Sequence, residues 1–450
     1  MILMSNDSLA PPTAHLKRQL SWIDAAAIFV GIILGSGIFV APAEIAGAIT
    51  SPVLAASLWL VGAAIAACGA FCYAECGARL PKPGGFFVFY GTAYGPAIAF
   101  VAGWAALFIT YPAALAAISL IFARYLNEVI PGIAATNFGA AVVGALALIA
   151  VATLNIMGVR LGSGVQKALT TFKVLVLIAL CVAAIAAPAA PTPAVSAPPA
   201  ALFPNGLAGV IGAMVVLLWT FDGWSDVSMI AGELKNPAKD FGRAVLVGIA
   251  LLAVTYMIVQ YATMSLLGST EAAASKQVVA QAVGVGLGPG FAKVVALLVV
   301  VSTLGALNGI VLAVSRLAFA MARDHAFLPW FGEVHPRFET PARSTLILIG
   351  VALVYVCAAD FRDLMGFFVF NVWLFYGATA IALLKLRRLN VGEPLQWRAP
   401  LGILPPSVVL LTGGLMTLGL FVQSPFRSMI GLGMLLMAFP IYWLWLAWQK

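Results

Sequence analysis

Charge is what this 450-residue sequence has least of. Asp, Glu, Lys and Arg make up 9% of it, apolar residues make up 63%, and mean hydropathy is +1.05. A soluble domain carries about 25% charged side chains, so this chain lacks the polar surface to coat a compact particle in water and belongs in a bilayer. Histidine is nearly as scarce: His15, His325 and His335 all sit in polar segments, which excludes an HExxH zinc site and an intramembrane histidine relay. The five cysteines lie inside apolar runs. Cys68, Cys72 and Cys76 share a helix face, but apart from Glu75 no ligand cluster completes a metal site, so they read as inert packing residues, and neither metal nor cofactor is expected. No nucleophile and base stand together as an enzyme requires, and no soluble output domain exists as a sensor requires. The net charge of +8 is spread over short loops without a compact basic patch, which argues against a nucleic-acid partner.

What the sequence has in abundance is long apolar runs. A hydrocarbon core about 30 Å thick needs roughly 20 apolar residues per helix, and the runs here are too long for the ten-residue alternating strands of a membrane barrel. Twelve candidate helices lie near 22–48, 52–78, 96–126, 138–157, 166–187, 207–233, 244–267, 290–322, 343–358, 363–386, 402–422 and 428–448. The polar N-terminal segment, with Lys17 and Arg18, leads into a run too long for a signal h-region, so no cleaved leader is expected. An even helix count puts both termini on one side. Placing them in the cytosol leaves only Arg124, Lys276, Lys293, Arg362 and Arg427 outside, with Lys173 inside a helix, as the positive-inside rule demands. The uncharged Ala/Pro-rich stretch 187–204 reads as an external loop.

Two apolar runs are interrupted. In the first, Gly35, Ser36 and Gly37 sit halfway along the span. Alone, this is as consistent with helix packing as with a functional break. In the sixth, Asp222, Gly223, Ser225 and Asp226 follow Trp219 and Phe221, and each central charge costs at least ~2.5 kcal/mol on insertion scales. Interrupted helices at corresponding positions of two five-helix halves point to an inverted-repeat transporter with its site at the bilayer midplane; paired breaks suit occlusion better than a uniform pore. Free amides at the start of the outer half of the first helix attract a carboxylate, and free carbonyls at the C-terminal end of the half-helix preceding each break attract an ammonium. A zwitterion fits both: its carboxylate at Ser36, Gly37 and their neighbours, including Gly35, and its ammonium at carbonyls near Ile33, Trp219, Phe221 and Asp222. An α-amino acid is the expected ligand, with Ser225 and Asn308 helping to shape the side-chain pocket.

Three motifs carry a resemblance. Gly31-Ile32-Ile33-Leu34-Gly35-Ser36-Gly37-Ile38-Phe39 resembles the GxxxGSGIF signature of the amino acid, polyamine and organocation (APC) superfamily. Leu307-Asn308-Gly309, Ser315-Arg316 and the segment Arg323 to Pro329 resemble a pattern of its L-type amino-acid transporter (LAT) branch. Ala231-Gly232-Glu233-Leu234-Lys235-Asn236-Pro237 is similar to the end of the sixth helix in bacterial amino-acid exchangers. The resemblance implies an all-α, twelve-span, LeuT-like fold with helices 1 and 6 unwound at mid-membrane. It divides the chain into a cytosolic tail (1–21), a first repeat (22–187), an external loop (188–206), a second repeat (207–386) and two peripheral helices (387–450). It implies Trp219 as a lid over the substrate. It also gives Lys173 the place that a cation holds in sodium-coupled relatives, making its protonation a candidate switch; the competing reading is that Lys173 snorkels to the inner interface.

Asp222 is read as a cap of the inner half-helix, with ligation of a second ammonium as the alternative. The functional expectation is an inner-membrane, sodium-independent permease for neutral amino acids, working by alternating access in exchange or proton-linked uptake; a cationic amino acid or amine antiporter of the arginine/agmatine type is the rival. Because 127–138 contains no cysteine, no disulfide-linked heavy subunit is expected.

Overall fold

The computed structural model describes residues 18–186, 201–324, 326–358, 361–392, 398–423 and 425–448. The described chain is helical, and its only strand-like pairing among these residues is an isolated parallel bridge between Leu20 and Leu234. Most of the expected external loop and most of the N-terminal tail lie outside the described residues.

The first apolar run is not one helix: α1 (Trp22–Ile33) is followed by a 3-10 turn (Gly37–Phe39) and α2 (Ala41–Ala48). The rest of the first half comprises α3 (Pro52–Arg79), α4 (Phe86–Tyr94), α5 (Pro96–Ala105), a π-helical segment (Ala106–Thr110), α6 (Tyr111–Val129), α7 (Asn137–Ile156) and α8 (Val159–Ala186). The sixth run is likewise divided, into α9 (Gly206–Thr220) and a 3-10 segment (Asp226–Glu233). Then come α10 (Pro237–Ala274), α11 (Val278–Leu287), α12 (Phe291–Arg323), a 3-10 turn (Pro329–Gly332), α13 (Ala342–Ala358) and α14 (Phe361–Leu389). The chain closes with α15 (Leu404–Gln423), α16 (Pro425–Leu436) and α17 (Ala438–Trp448). Among the described residues 7 helices are long and apolar enough to cross a membrane, so this is a multi-pass membrane protein.

Two helices, α4 and α11, stand where the apolar runs gave loops. Each has about ten residues, too few to span a bilayer, and α4 is fenced by Gly85 and Gly95, both with positive φ. The fifth run starts earlier than expected, at Val159, and the seventh likewise at Pro237; the seventh breaks at Gly268 (φ 75°), next to its expected end, and a short helical stretch runs on from there to Ala274. Polar residues at a membrane helix's ends can still be helical, so an apolar run underestimates its length. Local signals fix the starts. Ser21 and Asp24 form a reciprocal capping box, with the Asp24 carboxylate accepting Ser21 N–H at 2.8 Å, and Thr136 accepts Gly139 N–H at 3.0 Å ahead of α7.

The packing that positions the second break comes largely from α3. A Cβ at Gly62 would lie 1.9 Å from Leu217, one at Gly69 would lie 2.4 Å from the Trp224 ring, and one at Gly77 would lie 2.7 Å from Phe241. A stripe of missing side chains thus lets α9, the segment after it and α10 press onto α3, the use membrane helices commonly make of small residues. Cys72 and Cys76 on the same helix are buried free thiols, Cys68 is half-buried, and Glu75 is engaged by Arg79 and Arg387.

Candidate functional site

Ending α1 at Ile33 exposes the carbonyls of its last turn inside the protein, where no water can satisfy them. Three side chains from three helices meet that need. The ammonium of Lys173 (α8), fully buried, donates to Gly31 O at 2.7 Å and Leu34 O at 2.5 Å. Ser302 Oγ (α12) bonds Leu34 O at 2.7 Å. The Tyr256 hydroxyl (α10) lies 3.1 Å from Ile33 O and 3.4 Å from Thr220 O, touching the ends of both interrupted helices. Lys173 therefore does not snorkel to the interface: its charge sits on the negative end of the α1 dipole.

The second break is built around Gly223, whose φ of 110° suits only glycine; a Cβ there would also strike Ile32 at 2.7 Å. The turn separates two acids. Asp222 Oδ1 accepts the Tyr376 hydroxyl (α14) at 2.6 Å, and Asp226 Oδ1 accepts Tyr111 (α6) at 2.6 Å and Ser225 Oγ at 3.0 Å. Tyr111 directly follows the π-helical segment, which re-aims the helix at that point. The 3-10 segment begins only at Asp226, without a side-chain cap from Ser225, and the Asp222 carboxylate accepts the backbone N–H of Gly223 as well as the Tyr376 hydroxyl from a distant helix.

Between the breaks lies a cavity of about 570 Å³ of empty space, counting its mouth. Of the residues singled out in the sequence, Ile33, Gly35, Ser36, Gly37, Trp219 and Asp222 line it, and Trp219 is half-buried at its wall. Phe221, Ser225 and Asn308 do not. Phe221 packs its ring on Trp59 and Tyr256, Ser225 serves Asp226, and Asn308 is buried in a hydrogen-bonded group with Asn155 (2.9 Å) and Gln166 (2.7 Å). Each is corrected for one reason: sequence position gives depth along a helix, but the face it presents depends on packing. Sequence reasoning passed over Tyr111 and Phe368 in the cavity wall and the supporting hydroxyls of Tyr256, Ser302 and Tyr376, and it read Asp226, which also lines the cavity, only as a mark of the break. The available signal was a hydroxyl inside an apolar run, which costs free energy unless partnered.

The sequence profile of a family described as amino acid permease matches residues 20–446. The chain is 30% identical over 395 residues to the human b(0,+)-type amino acid transporter 1, covering 85% of this chain and 79% of that protein. It is 28% identical over 454 residues to the mouse Asc-type amino acid transporter 1, covering 97% and 82%. To the rabbit large neutral amino acids transporter small subunit 2 it is 29% identical over 441 residues, covering 96% and 81%. The chain belongs to the amino acid permease family, and it is a transporter, not an enzyme. One expectation falls with this finding. A relative named as a small subunit has, by that name, a larger companion, so the lack of a cysteine in 127–138 gives no ground for excluding a heavy subunit. A missing cysteine removes one covalent link at one place and says nothing about association through packed surface.

Proposed function

We propose that the cavity between the two breaks is the substrate site and that neutral α-amino acids bind there as zwitterions. The observation that carries this is the meeting of both interrupted helices at one cavity, with Gly35, Ser36 and Gly37 on one wall and Trp219 and Asp222 on the other. The substrate carboxylate goes to Ser36, Gly37 and the first amides of the 3-10 turn, where the dipole favours an anion. Its ammonium goes to the carbonyl ends near Ile33 and Trp219, and Trp219 closes the site. The two breaks belong to corresponding helices of five-plus-five inverted repeats, 22–187 and 207–386, in a twelve-span protein of the inner membrane with cytosolic termini. The short helices α4 and α11, each after the second span of its half, support that division, as does the distribution of Lys and Arg.

Lys173 occupies the place of a coupling cation, so transport is independent of sodium and runs as exchange or proton-linked uptake. The test is uptake of radiolabelled leucine by proteoliposomes. Uptake should saturate, accelerate with unlabelled amino acid inside, and persist when choline replaces sodium; loss of uptake in choline would remove Lys173 from this role.

One observation favours the cationic alternative: Asp222 and Asp226 both line the cavity, and neither pairs with a cation among the described residues. A second ammonium on the substrate would supply one. Neutralising a direct ligand of that kind costs about 2–5 kcal/mol of affinity, whereas a carboxylate tied to Tyr376 and the Gly223 amide is of little consequence to a neutral ligand. Asp222→Asn should therefore keep neutral amino-acid binding within about tenfold, or 1.4 kcal/mol. Tight arginine or agmatine binding by the wild type, lost in Asp222→Asn, would instead establish the cationic reading.

A further inference from the structure

A second cavity, of about 1070 Å³ of empty space, lies at the end of the molecule where residue 18 enters α1. Its walls are the α3–α4 loop, Gly232 at the close of the 3-10 segment, the last turns of α12 and Arg18. Arg18, Lys82 and Arg323 line it with a single acid, Asp324. None of the three cationic side chains has an ion-pair or hydrogen-bond partner among the described residues. Other cations at helix ends do: Arg160 bonds Gln19, Lys167 pairs with Asp24, Arg316 with Glu233, and Arg343 with Glu333.

The segments that carry Lys82 and Arg323 are held together by tight backbone contacts. Gly84 N–H donates to Met229 O at 3.3 Å, and a Cβ at Gly84 would lie 2.4 Å from that of Ala320, one turn before Arg323. A Cβ at Gly232 would lie 2.8 Å from Pro83 and 3.2 Å from the Lys82 carbonyl carbon. The stem of Arg323 rests on Gly332, within 3.2 Å of where a side chain there would begin. The loop carrying Lys82 and the helix carrying Arg323 are thus pressed together, and Arg18 joins them from a third segment. Convergent like charges repel, so an anion completes the arrangement. A planar carboxylate is matched by a single guanidinium fork. Two guanidinium forks and an ammonium from three separate segments match a tetrahedral oxyanion instead.

We propose that this cavity binds a phosphate group, supplied either by an anionic phospholipid or by a soluble phosphate compound. Bound there, it bridges α12 to the α3–α4 loop and holds that end of the protein closed. This inference is independent of the substrate reading.

The test is the thermal unfolding of the purified protein titrated with inorganic phosphate against chloride at matched ionic strength, since a ligand of the folded state raises apparent stability by mass action. Phosphate should produce a saturable rise that chloride does not. Lys82→Gln, at an exposed position, should weaken half-saturation at least tenfold, and Arg323→Gln should do the same, while Arg388→Gln at another exposed position leaves it unchanged. Nanodiscs separate the sources. A phosphate response present in phosphatidylcholine and abolished in phosphatidylglycerol assigns the site to a lipid headgroup, and an equal response in both assigns it to soluble phosphate. Equal effects of phosphate and chloride, or an unchanged half-saturation in both Lys82→Gln and Arg323→Gln, would overturn the proposal.

Discussion

Gly35 and Gly37 stand two residues apart in the same break, yet the space around them differs. A Cβ at Gly35 would meet Ile32 O at 3.6 Å and Ala306 at 3.7 Å, ordinary contacts. At Gly37 it would meet the Thr220 side chain at 2.9 Å and its Cα at 3.1 Å, so even one methyl must push the second interrupted helix away from the first. Overpacking of this kind costs about 1–3 kcal/mol, and here the strain falls across the cavity. Gly37→Ala should weaken amino-acid binding at least tenfold, whereas Gly35→Ala should change it by no more than about threefold, an amount below 1.4 kcal/mol. Equilibrium binding of labelled substrate to the two purified variants checks this, and equal affinities would show that the approach of Gly37 to Thr220 is not needed for the site.

The interruption of α1 is an element-scale feature, and its cost is met by other elements: α8 through Lys173, α12 through Ser302 and α10 through Tyr256. Hydrogen bonds to a charged group contribute about 1.5–3 kcal/mol. Lys173→Met keeps most of the stem but removes the ammonium, and should destabilise the protein by roughly that amount. It should also slow turnover more than it weakens binding, since the carbonyls it leaves belong to the end of a helix that has to move. Thermal unfolding and exchange rates measured on one preparation separate the two effects; a variant with normal stability and turnover would reduce Lys173 to a packing residue. How far these features can be read in the sequence follows from the same physics. The interruptions are legible because glycine, serine and aspartate are expensive inside an apolar run, and a lone lysine in a span is conspicuous for that reason. The partners are not legible: Tyr376 lies some 150 residues beyond Asp222, and nothing local to either foretells that α14 meets the second break. Asn308 shows the converse, a polar residue at a plausible depth whose helix face turns it toward Asn155 and Gln166. The helices α4 and α11 are too short for an apolar run to announce them.

At the scale of the whole molecule, Asp24–Lys167, Glu75–Arg387 and Glu233–Arg316 all fall toward the helix ends proposed above to be cytosolic. Glu233–Arg316 is the most enclosed: both side chains are 2% exposed, the contact is 2.5 Å, and Arg316 also donates to Leu312 O at 2.6 Å and Ser315 Oγ at 2.9 Å. The Glu233 carbonyl accepts Gln19 and Leu20 N–H at 2.9 Å each, and Lys235 N–H returns to Leu20 O at 2.8 Å. One residue therefore joins the chain entering α1, the end of the second interrupted helix and α12. Removing one partner of a buried pair strands the other charge at a cost of about 3–5 kcal/mol, whereas replacing both with apolar residues of similar size is often close to neutral. Arg316→Met alone should lower unfolding stability by several kcal/mol on that scale, and combining it with Glu233→Met should restore most of the loss. If the pair also holds this end of the molecule closed, the restored double variant should still differ from the wild type in transport, releasing internal substrate into substrate-free buffer faster. Stability regained together with wild-type efflux would mean that the pair only fills a buried space, and that closure rests on the backbone contacts around Leu20 and Lys235.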